Sequence, residues 1–259
     1  MGFHRNLKIS LVSLPSIKAE KIARQNDFEH IMLEKNVYLD GSSEFFIKKQ
    51  SQNMLLYFEF YPPFDLYALE CLKLLYNYKF LALVTPFMPF LREKEEKLKT
   101  NSFKLFENIK IITLEPHELK ANICALNLSQ YLKINSNQLL IFPDEGAKNR
   151  YAKYFKNEFI VGKKNRLEGV IFEEFEEIEN KHCFIIDDIL DTGYTLKQTI
   201  LSLKIAKALK IKAHITHVLL KDANWDLECF SNSDTLYMKD STNCIDFTLP
   251  FVNLRSFLI

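Results

Sequence analysis

The sequence predicts an α/β protein of two tandem domains, each a mostly parallel sheet flanked by helices. Three observations predict it. Short apolar runs rich in β-branched residues alternate with helical patterns, as parallel sheets covered on both faces require. Each run exits through proline, glycine or acidic residues into the next element. The alternation then starts afresh beyond a junction near residues 118–136, which places a first domain at 1–130 and a second at 131–259. With 47% hydrophobic residues in 259, the chain can bury a core in each.

In the first half, Leu7–Ser13 alternates as a short strand, and Ser16–Arg24 follows as a helix with Ile17, Ala19, Ile22 and Ala23 available for burial. Phe28–Leu39 is strand-like and ends at the turn signal Asp40-Gly41, from which Phe45–Lys48 returns. Met54–Tyr61 is an apolar strand broken by Pro62-Pro63, after which Asp65 can cap a helix Leu66–Tyr78. Phe80–Thr85 is a buried strand leaving through Pro86-Phe87-Met88-Pro89-Phe90-Leu91-Arg92. The charged run Glu93–Lys99 leads through a short helix to the strand Ile109–Leu114 and to Glu115-Pro116-His117.

The second half begins with the strand Gln138–Phe142, its exit Pro143-Asp144-Glu145-Gly146, and a helix Ala147–Phe155. Phe159–Val161 is a strand followed by the basic loop Gly162–Arg166, a short strand Val170–Phe172 and the acidic turn Glu173–Asn180. A strand from Phe184 that ends in the acidic pair Asp187-Asp188, then strands at Lys212–Leu220, Thr235–Met238 and Phe247–Phe251, complete the sheet. No low-complexity linker separates the halves, so a ligand is expected in the cleft between them, beyond the carboxyl ends of the strands.

The most informative stretch is Phe184-Ile185-Ile186-Asp187-Asp188-Ile189-Leu190-Asp191-Thr192-Gly193-Tyr194-Thr195-Leu196. A buried strand here feeds a helix through a tight loop, so unpaired backbone N–H groups at the helix N-terminus offer an anion site. Gly193 lets backbone approach a phosphate, and the hydroxyls of Thr192 and Thr195 add donors. Asp187 and Asp188 would repel phosphate, but they can accept hydrogen bonds from sugar hydroxyls, directly or through Mg²⁺. An Asp191-Thr192 pair alone would read as a plain helix cap. The whole run reads as a site for a phosphorylated ribose.

Composition narrows the partners. Thirty-four basic against 33 acidic residues give a net charge of +1, which leaves no electrostatic footprint for nucleic acid or a membrane surface. Five scattered cysteines without a Cys-x-x-Cys pair suit reduced thiols of a cytoplasmic protein. The N-terminus lacks a signal-peptide pattern, and no apolar run approaches the roughly 20 residues that span a bilayer.

Five further features resemble, in order along the chain, the ribose-phosphate diphosphokinases (phosphoribosyl pyrophosphate synthetases), which are built from two phosphoribosyltransferase-like domains. Val37-Tyr38-Leu39-Asp40-Gly41 resembles that family's aromatic-x-Asp-Gly turn, which implies that Tyr38 and Asp40 meet the ATP of a neighbouring subunit in a homo-oligomer. Thr85–Glu93 is similar to its Pro-Tyr-x-x-Tyr-x-Arg-Gln segment, which would set Arg92 on ATP phosphates with Glu93 where Gln is usual. The strand ending at His117 and the exit Phe142-Pro143-Asp144-Glu145-Gly146 resemble the segments whose His and Asp hold a nucleotide-bound Mg²⁺. Lys164-Asn165-Arg166 matches the Lys-x-Arg of the catalytic loop, and Asp187, Asp188, Asp191, Thr192, Gly193, Tyr194 and Thr195 match the ribose-5-phosphate loop, a signature shared with type I phosphoribosyltransferases. The resemblance implies transfer of the diphosphoryl group of ATP to ribose 5-phosphate, with Lys164 and Arg166 stabilising the transferring charge.

The chain also departs from that family. The Arg92–His117 and Lys164–Asp187 segments are short, Glu115 precedes the histidine segment, Tyr194 stands where Gly is frequent, and Val218–Asp222 replaces a Gly-rich stretch. These departures bear on ATP binding, phosphate regulation and oligomer contacts. Two other functions use the same sugar loop: a phosphoribosyltransferase, which would not need the N-terminal half, and a catalytically silent regulatory paralogue.

Overall fold

The structure, a computed structural model, describes residues 8–61, 63–93, 102–127, 132, 134–165, 169–172, 175–219, 235–238 and 254. The chain divides into two compact units, Met1–Leu126 with Cys244–Ile259, and Asn127–Asn243. The last residues, assigned by sequence to the second domain, therefore group with the first. Leu254 shows how: it is buried, and its N–H donates to Asn26 Oδ1 at 2.8 Å.

The first unit is a six-stranded parallel sheet in the order β2-β1-β5-β6-β7-β8, made of β1 (Ser10–Ser13), β2 (Glu29–Met32), β5 (Met54–Tyr57), β6 (Ala82–Thr85), β7 (Ile111–Leu114) and β8 (Ile123–Leu126). Most of these strands are buried on both faces, which is why they read as continuous apolar runs. Helix α1 (Ile17–Gln25) starts where expected, because Ser16 Oγ accepts the N–H of Ala19 at 3.3 Å. Helix α2 (Phe64–Asn77) starts earlier than expected. Pro63 holds the cap position without a side-chain bond, and Asp65 lies inside the first turn, where its charge suits the helix dipole. The strand-like stretch 28–39 splits at Leu33. Its first part joins the sheet as β2, whereas β3 (Glu34–Val37) pairs antiparallel with β4 (Ser43–Phe46) in a separate hairpin. Strand β8 falls in the stretch read as a junction.

The second unit is a five-stranded parallel sheet, β10-β9-β13-β14-β15, made of β9 (Leu139–Phe142), β10 (Phe159–Val161), β13 (His182–Leu190), β14 (Lys210–Val218) and β15 (Thr235–Met238). Strand β13 is central, and its alternation divides the core. Cys183 and Ile185 pack with Leu196, Ile200 and Leu203 of helix α5 (Tyr194–Ile205), whereas Phe184 and Ile186 pack with Ala147 and Tyr151 of helix α3 (Glu145–Tyr151). The expected strand at 247–251 lies outside the described residues. The acidic turn contains a short helix α4 (Phe175–Ile178).

The segment read as a basic loop is in fact a strand. β11 (Lys163–Asn165) pairs antiparallel with β12 (Gly169–Ile171), with Lys164 opposite Val170. Gly162 sets the root of this hairpin: its N–H donates to Phe142 O at 2.8 Å, and a Cβ there would lie 2.6 Å from Val170 Cγ1 and 2.8 Å from Pro143 O. One of those neighbours is backbone and cannot yield cheaply. Gly162→Ala is expected to cost about 1–3 kcal/mol, the usual range for overpacking, read from the denaturant midpoint. An unchanged midpoint would mean that the hairpin root is looser than this.

Candidate functional site

Strand β13 continues two residues past the acidic pair, because Ile189 and Leu190 stay in register with His217 and Val218 of β14. Asp187 and Asp188 thus sit in the last part of the strand, not beyond it. The chain then turns through exposed Asp191 and Thr192 to Gly193, which has φ +78° and ψ −8° and occupies the cap position of α5. This left-handed conformation strains any residue bearing a Cβ. No side chain caps the helix. Its first-turn N–H groups have no carbonyl of the helix to bind, and the helix dipole makes that end electropositive. Thr192 Oγ1 accepts the N–H of Tyr194 at a long 3.3 Å, which leaves Thr195 and Leu196 as the amides next in the turn. The helix is seated by Leu196, Thr199, Ile200 and Leu203, all buried, so its N-terminus is a fixed feature. Tyr194 is 56% exposed at its edge.

Beside this loop the two carboxylates share a cation that the sequence did not reveal. Arg150 Nη2, from the last turn of α3, lies 2.9 Å from Asp188 Oδ1 and 3.6 Å from Asp187 Oδ1. Asp188 faces α3 because it continues the face of Phe184 and Ile186, and its side chain is only 4% exposed. Asp187 is more open at 15%, and its Oδ1 accepts the N–H of Asp188 at 3.0 Å. Asp144 caps α3, accepting from the Ala147 N–H at 2.8 Å. It borders the same cluster: a Cβ on Gly146 would lie 3.1 Å from Asp144 Oδ1 and 3.3 Å from Arg150 Nη1. Three carboxylates therefore surround one guanidinium. The spacing of Asp144 and Arg150 within one short helix was visible, but the pairing with Asp188 arises only from the β9–β13 register.

Burial, reinforced by the neighbouring Asp188 carboxylate, pushes the Asp187 carboxyl well above its ordinary range, against the opposing pull of Arg150. Burial works against the charge of Arg150, but the carboxylates, Asp188 foremost, outweigh it and hold the guanidinium firmly protonated. A carboxyl whose pKa is raised by folding contributes most below its unfolded pKa, and stability falls as pH rises through the folded value. Asp187→Asn removes that loss. Its melting temperature should exceed that of the wild type at neutral pH and vary less with pH, as thermal scans across the acidic and neutral range would show. An identical pH profile would mean that Asp187 is as well solvated folded as unfolded.

The remaining expected residues fall as follows. The backbone of Lys164 is the middle of β11, and Arg166 lies outside the described residues. In the first unit, Tyr38 and Asp40 share the β3–β4 hairpin turn. Tyr38 OH donates to Glu44 Oε2 at 2.7 Å, and Asp40 Oδ1 accepts from both Ser42 N–H and Ser42 Oγ. Arg92 is exposed on the turn after β6, which Thr85 Oγ1 stiffens by donating to Phe87 O at 2.9 Å. Glu93 turns back onto the protein, where Oε2 accepts the Ser102 N–H at 2.8 Å. Its departure from the expected amide thus has a local structural use. His117 is half-buried on the loop after β7, following Glu115, whose φ is +30°. At the carboxyl edge of this sheet, Glu59 gathers Lys18 Nζ at 3.0 Å, Ser16 Oγ at 3.1 Å and Tyr57 OH at 2.9 Å. The opening of α1 thereby already faces a carboxylate of the protein itself.

The comparisons bear on both units. Residues 150–251 match the family model described as a phosphoribosyl transferase domain, a span that contains Arg150, Lys164 and the whole Asp187–Thr195 loop. The chain is 30% identical over 123 residues to ribose-phosphate pyrophosphokinase 5 of Schizosaccharomyces pombe, a match covering 46% of this chain and 35% of that protein. It is 30% identical over 99 residues to the chloroplastic ribose-phosphate pyrophosphokinase 3 of Arabidopsis thaliana, covering 37% and 24%. In fold it is similar to the crystal structure of phosphoribosylpyrophosphate synthetase from Mycobacterium smegmatis, with a TM-score of 0.71 at 14% identity over 89% of this chain and 94% of that one. This chain is similar in part of its sequence to ribose-phosphate pyrophosphokinases, and its second unit carries the phosphoribosyl transferase domain match. The sequence matches span about a third or less of those relatives' own length, while the likeness of fold takes in both phosphoribosyltransferase-like halves. Among the described residues no helix is long and apolar enough to cross a membrane. Among them, too, no group of three or more His, Cys, Asp or Glu gathers as a metal site on its own. A Mg²⁺ that enters with a phosphorylated substrate needs only one or two carboxylates beside phosphate and water, and the oxygen donors at Asp187, Asp188 and Asp144 suit it.

Proposed function

We propose that this chain binds ribose 5-phosphate at the Asp187–Thr195 loop and transfers to it the diphosphoryl group of ATP. The observation that carries the reading is the uncapped opening of α5 at left-handed Gly193, set beside two carboxylates on the end of a buried strand. The amides of Thr195 and Leu196 and the hydroxyls of Thr192 and Thr195 take the sugar phosphate. Asp187 and Asp188 accept hydrogen bonds from the ring hydroxyls. The anomeric hydroxyl attacks the β-phosphorus of ATP, the bond from the α-phosphate bridge breaks, AMP leaves, and the hydroxyl proton passes to solvent. Bound Mg²⁺ would neutralise part of the charge on the phosphate chain. Lys164 and Arg166 act on the same developing charge by position and electrostatics, and no protein nucleophile is required.

Arg92 and His117 are assigned to the nucleotide by resemblance, as are Tyr38 and Asp40. The β3–β4 hairpin exposes Val37, Tyr38 and Leu39 together, which supports self-association through this projection. The deciding experiment incubates the purified chain with ATP, Mg²⁺ and ribose 5-phosphate. Equal amounts of AMP and phosphoribosyl pyrophosphate are expected. A protein that forms neither, yet binds the sugar, is the silent paralogue. One that consumes phosphoribosyl pyrophosphate and releases pyrophosphate in the presence of a nucleobase is a transferase.

A further inference from the structure

We infer that Arg150 is a positioning residue that sets selectivity for ribose over deoxyribose, by fixing the Asp188 and Asp187 carboxylates in the orientation that receives ring hydroxyls. The inference rests on the sugar-phosphate reading and adds to it a residue on a different element, with a separable task.

The geometry divides the site into two parts. The phosphate end is made by the opening of α5, on the face of β13 that carries Cys183 and Ile185. The hydroxyl end is made by two consecutive carboxylates that a strand would point to opposite faces. Left alone, adjacent carboxylates repel and rotate apart. Arg150 counters this through Nη2, bonded to Asp188 at 2.9 Å and close to Asp187 at 3.6 Å. A planar guanidinium can serve two acceptors at once, which a lysine ammonium does less well.

The guanidinium is itself held. Its helix is started by Asp144, its neighbour Tyr151 is buried with the ring 5.7 Å from Arg150 Cζ, and Gly146 leaves room for it beside Asp144. None of these contacts reaches the α5 amides. Loss of Arg150 should therefore damage hydroxyl recognition and spare phosphate recognition.

The experiment compares the full chain with its Arg150→Gln and Arg150→Lys variants by calorimetric titration with ribose 5-phosphate and with 2-deoxyribose 5-phosphate. The wild type is expected to favour ribose about tenfold or more, the range of a hydrogen bond to a charged group. In Arg150→Gln that preference should fall to about twofold or less, with affinity for the deoxy sugar little changed. Arg150→Lys keeps a cation in the fold and should lie between the two, which also guards against a Gln variant that fails to fold. The inference is overturned if both sugars weaken equally, which marks a purely structural arginine, or if the lysine variant and any folded Gln variant keep the wild-type preference. A wild type that binds neither sugar overturns the sugar-phosphate reading, and this inference with it.

Discussion

Lys164→Ala is expected to slow AMP formation by about a hundredfold or more while ribose 5-phosphate affinity stays within about twofold of the wild type. The split follows from where the residue sits. Lys164 is the central residue of β11, and the pairing with Val170 is a backbone pairing that alanine preserves. The hairpin is tied to the rest of its unit at other points: Gly162 at the root, and Ser202 of α5, whose Oγ donates to Val170 O. The variant should therefore hold its shape and lose only the ammonium. Steady-state rates together with sugar titration read the two quantities separately. Full activity would show that the charge on the transferring group is met elsewhere.

Asp188→Ala is expected to be the most destabilising change at the site, costing about 3 kcal/mol, the lower end of what stranding one member of a buried ion pair costs. Asp188 and Arg150 are 4% and 20% exposed in their side chains, so water cannot replace the lost carboxylate fully. Asp187 at 3.6 Å softens the loss, because without the Asp188 charge beside it its own carboxyl ionises more readily and can serve the guanidinium. Asp187→Ala leaves the 2.9 Å pair in place and should cost far less. The double variant should also bind ribose 5-phosphate more weakly than either single one. Chemical denaturation of all three reads the order, and equal costs for the two single variants would contradict the asymmetric pairing.

The parts of this protein legible from sequence are those fixed by neighbours in the chain. Ser16 capping α1, the strand that carries Asp187 and Asp188, and the glycine that opens α5 each follow from local chemistry, although that strand runs on to Leu190 because β14 stays in register beside it. The misses have a common cause in contacts made across the chain. Lys163–Asn165 is too polar to read as a strand, yet it pairs because Gly169–Ile171 lies opposite. Ile123–Leu126 reads as junction but adds an edge strand because β7 is available to it. Asp144 was expected as a metal ligand, and its visible use is to cap α3, a bond compatible with either role. Glu93, a departure by sequence in the nucleotide segment, has a partner in Ser102, nine residues on. Arg150 carries no local sequence signal for the same reason, since its carboxylate partner lies 38 residues away.

The opening of α5 as a sugar-phosphate cradle is most directly tested by a crystal structure with ribose 5-phosphate bound. The phosphate oxygens should lie about 2.7–3.2 Å from the N–H groups of Thr195 and Leu196, with ring hydroxyls against Asp187 and Asp188. A sugar phosphate bound elsewhere, with these amides left to solvent or closed by the protein's own side chains, would contradict the account.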